Sequence, residues 1–234
     1  MIAIFISGLY FVCMSATEKY HAVFGPHQYY HIYNCTNNKE RLFRNEENYF
    51  FFLKRYTHYL YPFVDTFAYN LLPNHFHVVI KVRGIDEIIQ HIASIPQELR
   101  LKAEAGFLVK PEMCLDQLIE SEFHRFFTSY SMAFNKMYTR KGNLFQRAFK
   151  RVLIKDDIQM LQTIVYVHAN EIKHQNSAAL TESRFSSYSS YLSNGVTLLN
   201  RDYILDLFDG KEAFIKFHQA QTKYYYDTNG IIVD

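Results

Sequence analysis

Hydrophobic positions along this chain switch repeatedly between a strand period and a helix period, and the switches predict its elements. Residues 29–36, YYHIYNCT, are rich in β-formers and end at Asn37-Asn38, which predicts a strand. Tyr49, Phe52, Leu53, Tyr56 and Leu60 then recur at helical spacing, with Asn45 as N-cap and Pro62 as stop. Residues 64–72 predict a second strand and 75–82, HFHVVIKV, a third. The Pro73-Asn74 turn between them is short enough to make an antiparallel hairpin. Residues 85–93 predict a helix, and 94–112 carry no clear period and are expected to be an insertion. A long helix follows over about 118–138, with Phe123, Phe126, Phe127, Tyr130, Phe134 and Met137 on one side. It breaks at Lys141-Gly142-Asn143, and 145–154, FQRAFKRVLI, predict a fourth strand. Asp156 or Asp157 caps a further helix to about 172.

The order β-α-β-β-α-β-α predicts an α+β fold: a ferredoxin-like antiparallel four-stranded sheet with helices packed on one face. After Ser186 comes a Ser/Tyr-rich link, then a short helical C-terminal tail over about 202–220. We divide the chain into an N-terminal extension (1–18), a main domain (19–195) and the tail (196–234).

Composition fits this picture. Of 234 residues, 49% are hydrophobic and 21% charged, which is globular rather than disordered. The net charge of +2 does not announce a nucleic-acid partner, but Arg140, Lys141, Arg147, Lys150, Arg151 and Lys155 follow one another with no acid among them. Such a stripe can track phosphates, and it can equally be a solvated face. Aromatics reach 17%, all Tyr and Phe, and Tyr29, Tyr30 and Tyr33 could form a base-stacking platform. Three widely spaced cysteines argue against a disulfide framework or a cysteine zinc site and favour a reducing compartment.

The apolar stretch 1–13 is shorter than a bilayer-spanning helix and lacks the basic start of a secretory signal. Met14 opens a more ordinary start, MSATEKYHAVF, so we expect translation from Met14, no membrane attachment and a cytoplasmic protein.

Two sets of residues carry candidate chemistry. His75 and His77 are two apart on a strand, so both imidazoles project from one face and can share a metal ion, while Phe76 points into the core. On the helix after the fourth strand, an apolar stripe of Ile158, Leu161, Val165 and Ile172 is expected to face the sheet. The opposite ridge then carries Tyr166 and Asn170, one turn apart and projecting together. A surface tyrosine with a solvated asparagine has the same spacing.

At these residues the chain resembles a known family. LLPNHFHVVI resembles the P-N-H-hydrophobe-H signature of the HUH-type single-tyrosine transposases, the small insertion-sequence transposases and their REP-associated relatives. KGNLFQRAFKRVLI, YVHANEIKH and FSSYSSYL resemble that family's G-x-L-F-Q strand, its Y-I-H-x-N-P helix and its W-S-S-Y segment, in the same order. The resemblance spans roughly His21 to Leu192 and is closest to the REP-associated branch. It departs at Glu171, where the family often has proline, and at Phe185, where it has tryptophan.

The resemblance implies a transposase that nicks and rejoins single-stranded or hairpin DNA. It implies Tyr166 as nucleophile and His75, His77 and Asn170 as ligands of Mg²⁺ or Mn²⁺. Arg140, Lys141, Arg147, Lys150 and Arg151 are candidates to hold the DNA backbone. Monomer and homodimer both stay open. One rival reading is a non-catalytic, domesticated protein that binds single-stranded nucleic acid. Another is a zinc hydrolase built on His75 and His77, but no zincin motif accompanies the pair.

Overall fold

Four strands form the sheet: β1 (Tyr29–Cys35), β2 (Val64–Leu72), β3 (His75–Val82) and β4 (Lys150–Ile154). They lie in the order β2-β3-β1-β4 with every neighbour antiparallel, the ferredoxin-like arrangement expected from the order of elements. The computed structural model describes residues 20–146, 148–173 and 180–227. The extension 1–18, the start at Met14 and the role of Arg147 lie outside these.

Helix α1 (Glu46–Leu60) links β1 to β2, and its N-cap is Asn45, whose side-chain oxygen accepts from Asn48 N at 3.1 Å. Between β3 and β4 run α2 (Ile85–Ala93), α3 (Lys102–Val109) and the long α4 (Pro111–Met137). The segment 94–112, expected as an insertion, is thus largely helical, and Phe107 of α3 is fully buried in the core. Its period was hard to read because α3 is short and has apolar residues on several sides.

The strand alternation divides the sheet between two cores. Tyr30, Ile32, Phe76, Val78, Ile80 and Val82 face α1 and α4 together with Phe52, Phe123 and Phe126. Val79 and Ala68 belong to the other core, shared with Met160, Ile164 and Val167 of α5 (Asp157–Lys173). The crossover helices α1 and α4 therefore cover one face as expected, and α5 adds a layer over part of the other. The chain after residue 195, expected as an appended tail, contributes Ile204 of α7 (Arg201–Leu207) and Phe214 of α8 (Lys211–Asp227) to this second core.

Both outer strands carry companions. Against β2, Leu71 N donates to Phe185 O at 3.1 Å and Ser187 N donates to Tyr69 O at 2.9 Å, just before α6 (Tyr188–Leu192). Against β4, Ala22 N donates to Arg151 O at 3.2 Å and Arg151 N donates to Tyr20 O at 2.8 Å. Phe185, at the family's tryptophan position, stacks on Tyr49 with ring centroids 3.9 Å apart.

Candidate active site

The hairpin sets the site. A short Pro73-Asn74 turn pairs Leu72 with His75 and Asn70 with His77. Phe76 points away into the first core against Phe52, Phe127 and Phe145, with centroids 5.1, 5.9 and 6.3 Å distant. Burying a phenylalanine contributes roughly 1.5–3 kcal/mol, so this ring fixes the strand from which both imidazoles project. His75 and His77 lie together on the opposite face, ring centroids 5.2 Å apart.

The register carries the same face across the whole sheet. His77 pairs with Tyr33 on β1, and Tyr33 pairs with Lys150 on β4, giving a cross-strand row Asn70–His77–Tyr33–Lys150. The Lys150 ammonium sits 5.2 Å from the Tyr33 ring and 5.0 Å from that of Tyr20, within cation–π range. In the adjacent row stands His31, whose Nε2 lies 2.9 Å from His77 Nδ1. Burial pushes the His31 imidazole down to about 4, so it stays neutral near pH 7. His75 Nδ1 lies 2.7 Å from the Asn74 side-chain oxygen.

Helix α5 brings Tyr166 over this face. Its ring meets His77 edge-on at 5.7 Å and His31 at 5.8 Å. The expected stripe is only partly the buried side of this helix. Val165 is buried with the flanking Met160, Ile164 and Ala169, and Leu161 packs against them, but Ile158 is 67% exposed, and Tyr166, expected on the opposite ridge, packs on His77. His168 is on the buried side too, as buried as any aliphatic residue in the helix. Its Nδ1 lies 2.9 Å from His218 Nε2 and its Nε2 lies 2.8 Å from Ser187 Oγ, so both polar atoms are satisfied inside the core. The helix continues past Asn170 through Glu171 to Lys173.

Asn170 lies one turn beyond Tyr166 and is 1% exposed. Among the described residues neither its Oδ1 nor its Nδ2 has a hydrogen-bond partner. A buried carboxamide without a partner is costly, of order 1–3 kcal/mol, and a ligand that uses it removes that cost. Among the described residues no three His, Cys, Asp or Glu side chains cluster as a metal site. Two imidazoles and an orphaned amide oxygen are nevertheless a donor set that fits a divalent ion.

The candidate DNA-holding residues separate. Lys150 is in the row beside His77. Arg151 is on the opposite face, 8% exposed, its guanidinium 4.7 Å from the Phe24 ring and 3.6 Å from Asp116. Strand alternation puts these neighbours on different faces, and Arg151 lies on the core side. Arg140 binds both Glu40 carboxylate oxygens at 2.7 and 2.8 Å and the carbonyls of Gly142 and Asn143 at 3.0 Å, which makes it a clamp on the loop before β4. Its grip holds the Glu40 carboxyl below the usual range. Gly142 turns that loop with φ of 89°, and Lys141 beside it is exposed. The Tyr29-Tyr30-Tyr33 platform also divides: Tyr30 is buried in the first core with its hydroxyl on Val23 O at 2.6 Å, and Tyr29 stacks with Tyr203.

His31 and Asn70 belong to this site and were missed in the sequence. Asn70 was accessible from the hairpin register. His31 was not, because no short turn in the sequence sets the register of β1 against β3.

Among the described residues, no helix is long and apolar enough to cross a membrane. No protein-family model and no curated protein matches the sequence. Among solved structures, the chain is similar to that of a REP-associated tyrosine transposase bound to a REP hairpin, with a TM-score of 0.47 and 13% identity over 76% of this chain and 86% of that one.

Proposed function

We propose that this protein is a divalent-metal-dependent enzyme that cleaves and rejoins single-stranded DNA through Tyr166, as a tyrosine transposase of the REP-associated kind does. The observation that carries this reading is the edge-on contact of Tyr166 with His77, which stands beside His75 on the sheet. That contact brings the helix bearing Tyr166 over the face from which both imidazoles project. The amide of Asn170, one turn away and without a hydrogen-bond partner among the described residues, also supports it.

His75, His77 and Asn170 would hold Mg²⁺ or Mn²⁺. When bound, the ion polarises phosphoryl oxygens and offsets the charge that builds up as phosphorus is attacked. The Tyr166 hydroxyl attacks the phosphorus of a phosphodiester; the bond to the 3′-oxygen breaks, and that oxygen leaves as a 3′-hydroxyl with the proton the tyrosine gives up. A 5′-phosphotyrosine link remains, and a different 3′-hydroxyl can reverse the step and join new DNA. Lys150 and Tyr33, continuing the row past His77, offer a cation for a flanking phosphate and a ring for an unpaired base.

The test is to incubate the full chain with labelled single-stranded and hairpin DNA from its own genomic flanks in Mn²⁺ or Mg²⁺. A label that comigrates with protein on a denaturing gel is expected. It should vanish with EDTA, in Tyr166→Phe and in His77→Ala. Firm DNA binding with no adduct on any flank would replace this reading with that of a non-catalytic binding protein.

A further inference from the structure

We propose that His31 is a positioning residue for the metal: its Nε2 accepts a hydrogen bond from His77 Nδ1–H and thereby fixes the tautomer in which His77 presents Nε2 as a ligand. This rests on the metal reading above and assigns a role to a residue outside the expected ligand set.

A neutral imidazole has one N–H and one lone pair, so the partner of one nitrogen decides what the other can do. The contact between His31 Nε2 and His77 Nδ1 is 2.9 Å and buried, and one proton lies between the two atoms. If His31 donates, His77 carries its own proton on Nε2 and cannot ligate through that atom. If His77 donates, its lone pair is on Nε2 and His31 holds its own proton on Nδ1. Only the second arrangement leaves His77 able to bind a metal through the nitrogen remote from His31.

The neighbouring histidine supplies the second observation. His75 also has its Nδ1 engaged, at 2.7 Å from the Asn74 side-chain oxygen. An amide oxygen only accepts, so His75 donates from Nδ1 and its lone pair is on Nε2. The two histidines are two residues apart on one strand face, and each has a hydrogen-bond partner at the same ring nitrogen. With His31 accepting, both present the same atom. Removing a hydrogen-bonded outer partner that fixes a ligand's tautomer and ring plane typically weakens metal binding roughly 10–100-fold.

The geometry also explains why a histidine stands at this position of β1. His31 pairs with Val79 and Val152 across the sheet, in a row that is otherwise apolar. Leucine is therefore tolerable there sterically, and the polar residue serves the diagonal contact to His77.

The test has two readouts on the full chain. In metal-free protein, long-range ¹H–¹⁵N spectra assign each histidine tautomer: wild type is expected to show His77 protonated on Nδ1, and His31→Leu to shift it toward Nε2. In Mn²⁺ titrations without DNA, His31→Leu is expected to weaken binding by about 10-fold or more while its thermal unfolding remains cooperative. His31→Gln, whose amide oxygen can still accept, is expected to recover most of the affinity. A wild-type His77 protonated on Nε2, or His31→Leu binding Mn²⁺ as wild type does, overturns the proposal and leaves the metal reading standing. Mn²⁺ uptake that is absent, or that survives His75→Ala and His77→Ala, overturns the metal reading and the His31 role together.

Discussion

Asn70 and His77 face each other across β2 and β3, and the Asn70 amide donates to the Val167 carbonyl at 2.9 Å. One buried side chain thus joins the strand beside the histidines to the helix that bears Tyr166. Asn70→Ala is expected to lower stability by about 1–2 kcal/mol, the worth of a buried hydrogen bond, read from the urea midpoint. Adduct formation should fall further than stability alone accounts for, because the helix loses its tie one residue from Tyr166. Adduct yield that tracks only the folded fraction would show that Asn70 does not align the two elements.

Lys150 and Arg151 are adjacent in sequence but belong to opposite faces. For single-stranded DNA, Lys150→Ala is expected to weaken binding and flatten the slope of log affinity against log salt by about 0.7, the loss of one phosphate contact. Arg151→Met should leave that slope unchanged and alter stability instead, since its guanidinium lies among Phe24, Phe149 and Asp116. Filter binding at several salt concentrations separates the two.

Phe76 anchors β3 from behind. Phe76→Ala is expected to cost about 3–5 kcal/mol and to weaken Mn²⁺ binding in the protein that remains folded, although the ring touches no metal. Calorimetric unfolding and a Mn²⁺ titration at low temperature check both parts. Unchanged Mn²⁺ affinity would mean that the hairpin holds its histidines without this ring.

His218 gives the fold an acid limit. Burial pushes its pKa down to about 4, and its Nδ1 donates to Phe214 O at 2.8 Å, which leaves Nε2 to accept from His168. Its other neighbours are the rings of Tyr188 and Phe208. Below the ordinary histidine value of 6.5 the unfolded chain takes up a proton that the folded chain refuses. Stability should therefore fall from about pH 6.5 down to about pH 4, by up to roughly 1.4 kcal/mol per pH unit from this group, and be unaffected above that window. Urea unfolding at a series of pH values tests this, and His218→Gln should have the shallower dependence.

The sheet could be read from the sequence because its signals are local. Alternation marks β1 to β3, and Pro73-Asn74 fixes the β2–β3 register, which brings His75 and His77 to one face. Where a position's meaning depends on distant partners, the sequence misled. His168 looks polar until its bonds to His218 and Ser187 are seen, and Tyr166, expected on the ridge away from the sheet, packs on His77. His31 gave no signal because β1 and β3 are separated by α1 and β2, and no turn between them sets their register. Arg140 and Arg151 looked alike in a basic stripe, and only the fold sets one on Glu40 and the other on Asp116.

The companions along β2 and β4 bear on how copies of this chain could associate. An outer strand with unpaired backbone invites a second chain to add its own strand. Here residues 185–187 occupy bonds along one rim and residues 20–22 along the other. Where these segments lie, growth of the sheet from subunit to subunit would first have to peel one of them away. Copies that meet along those stretches with the fold intact would join through side chains rather than through added strands.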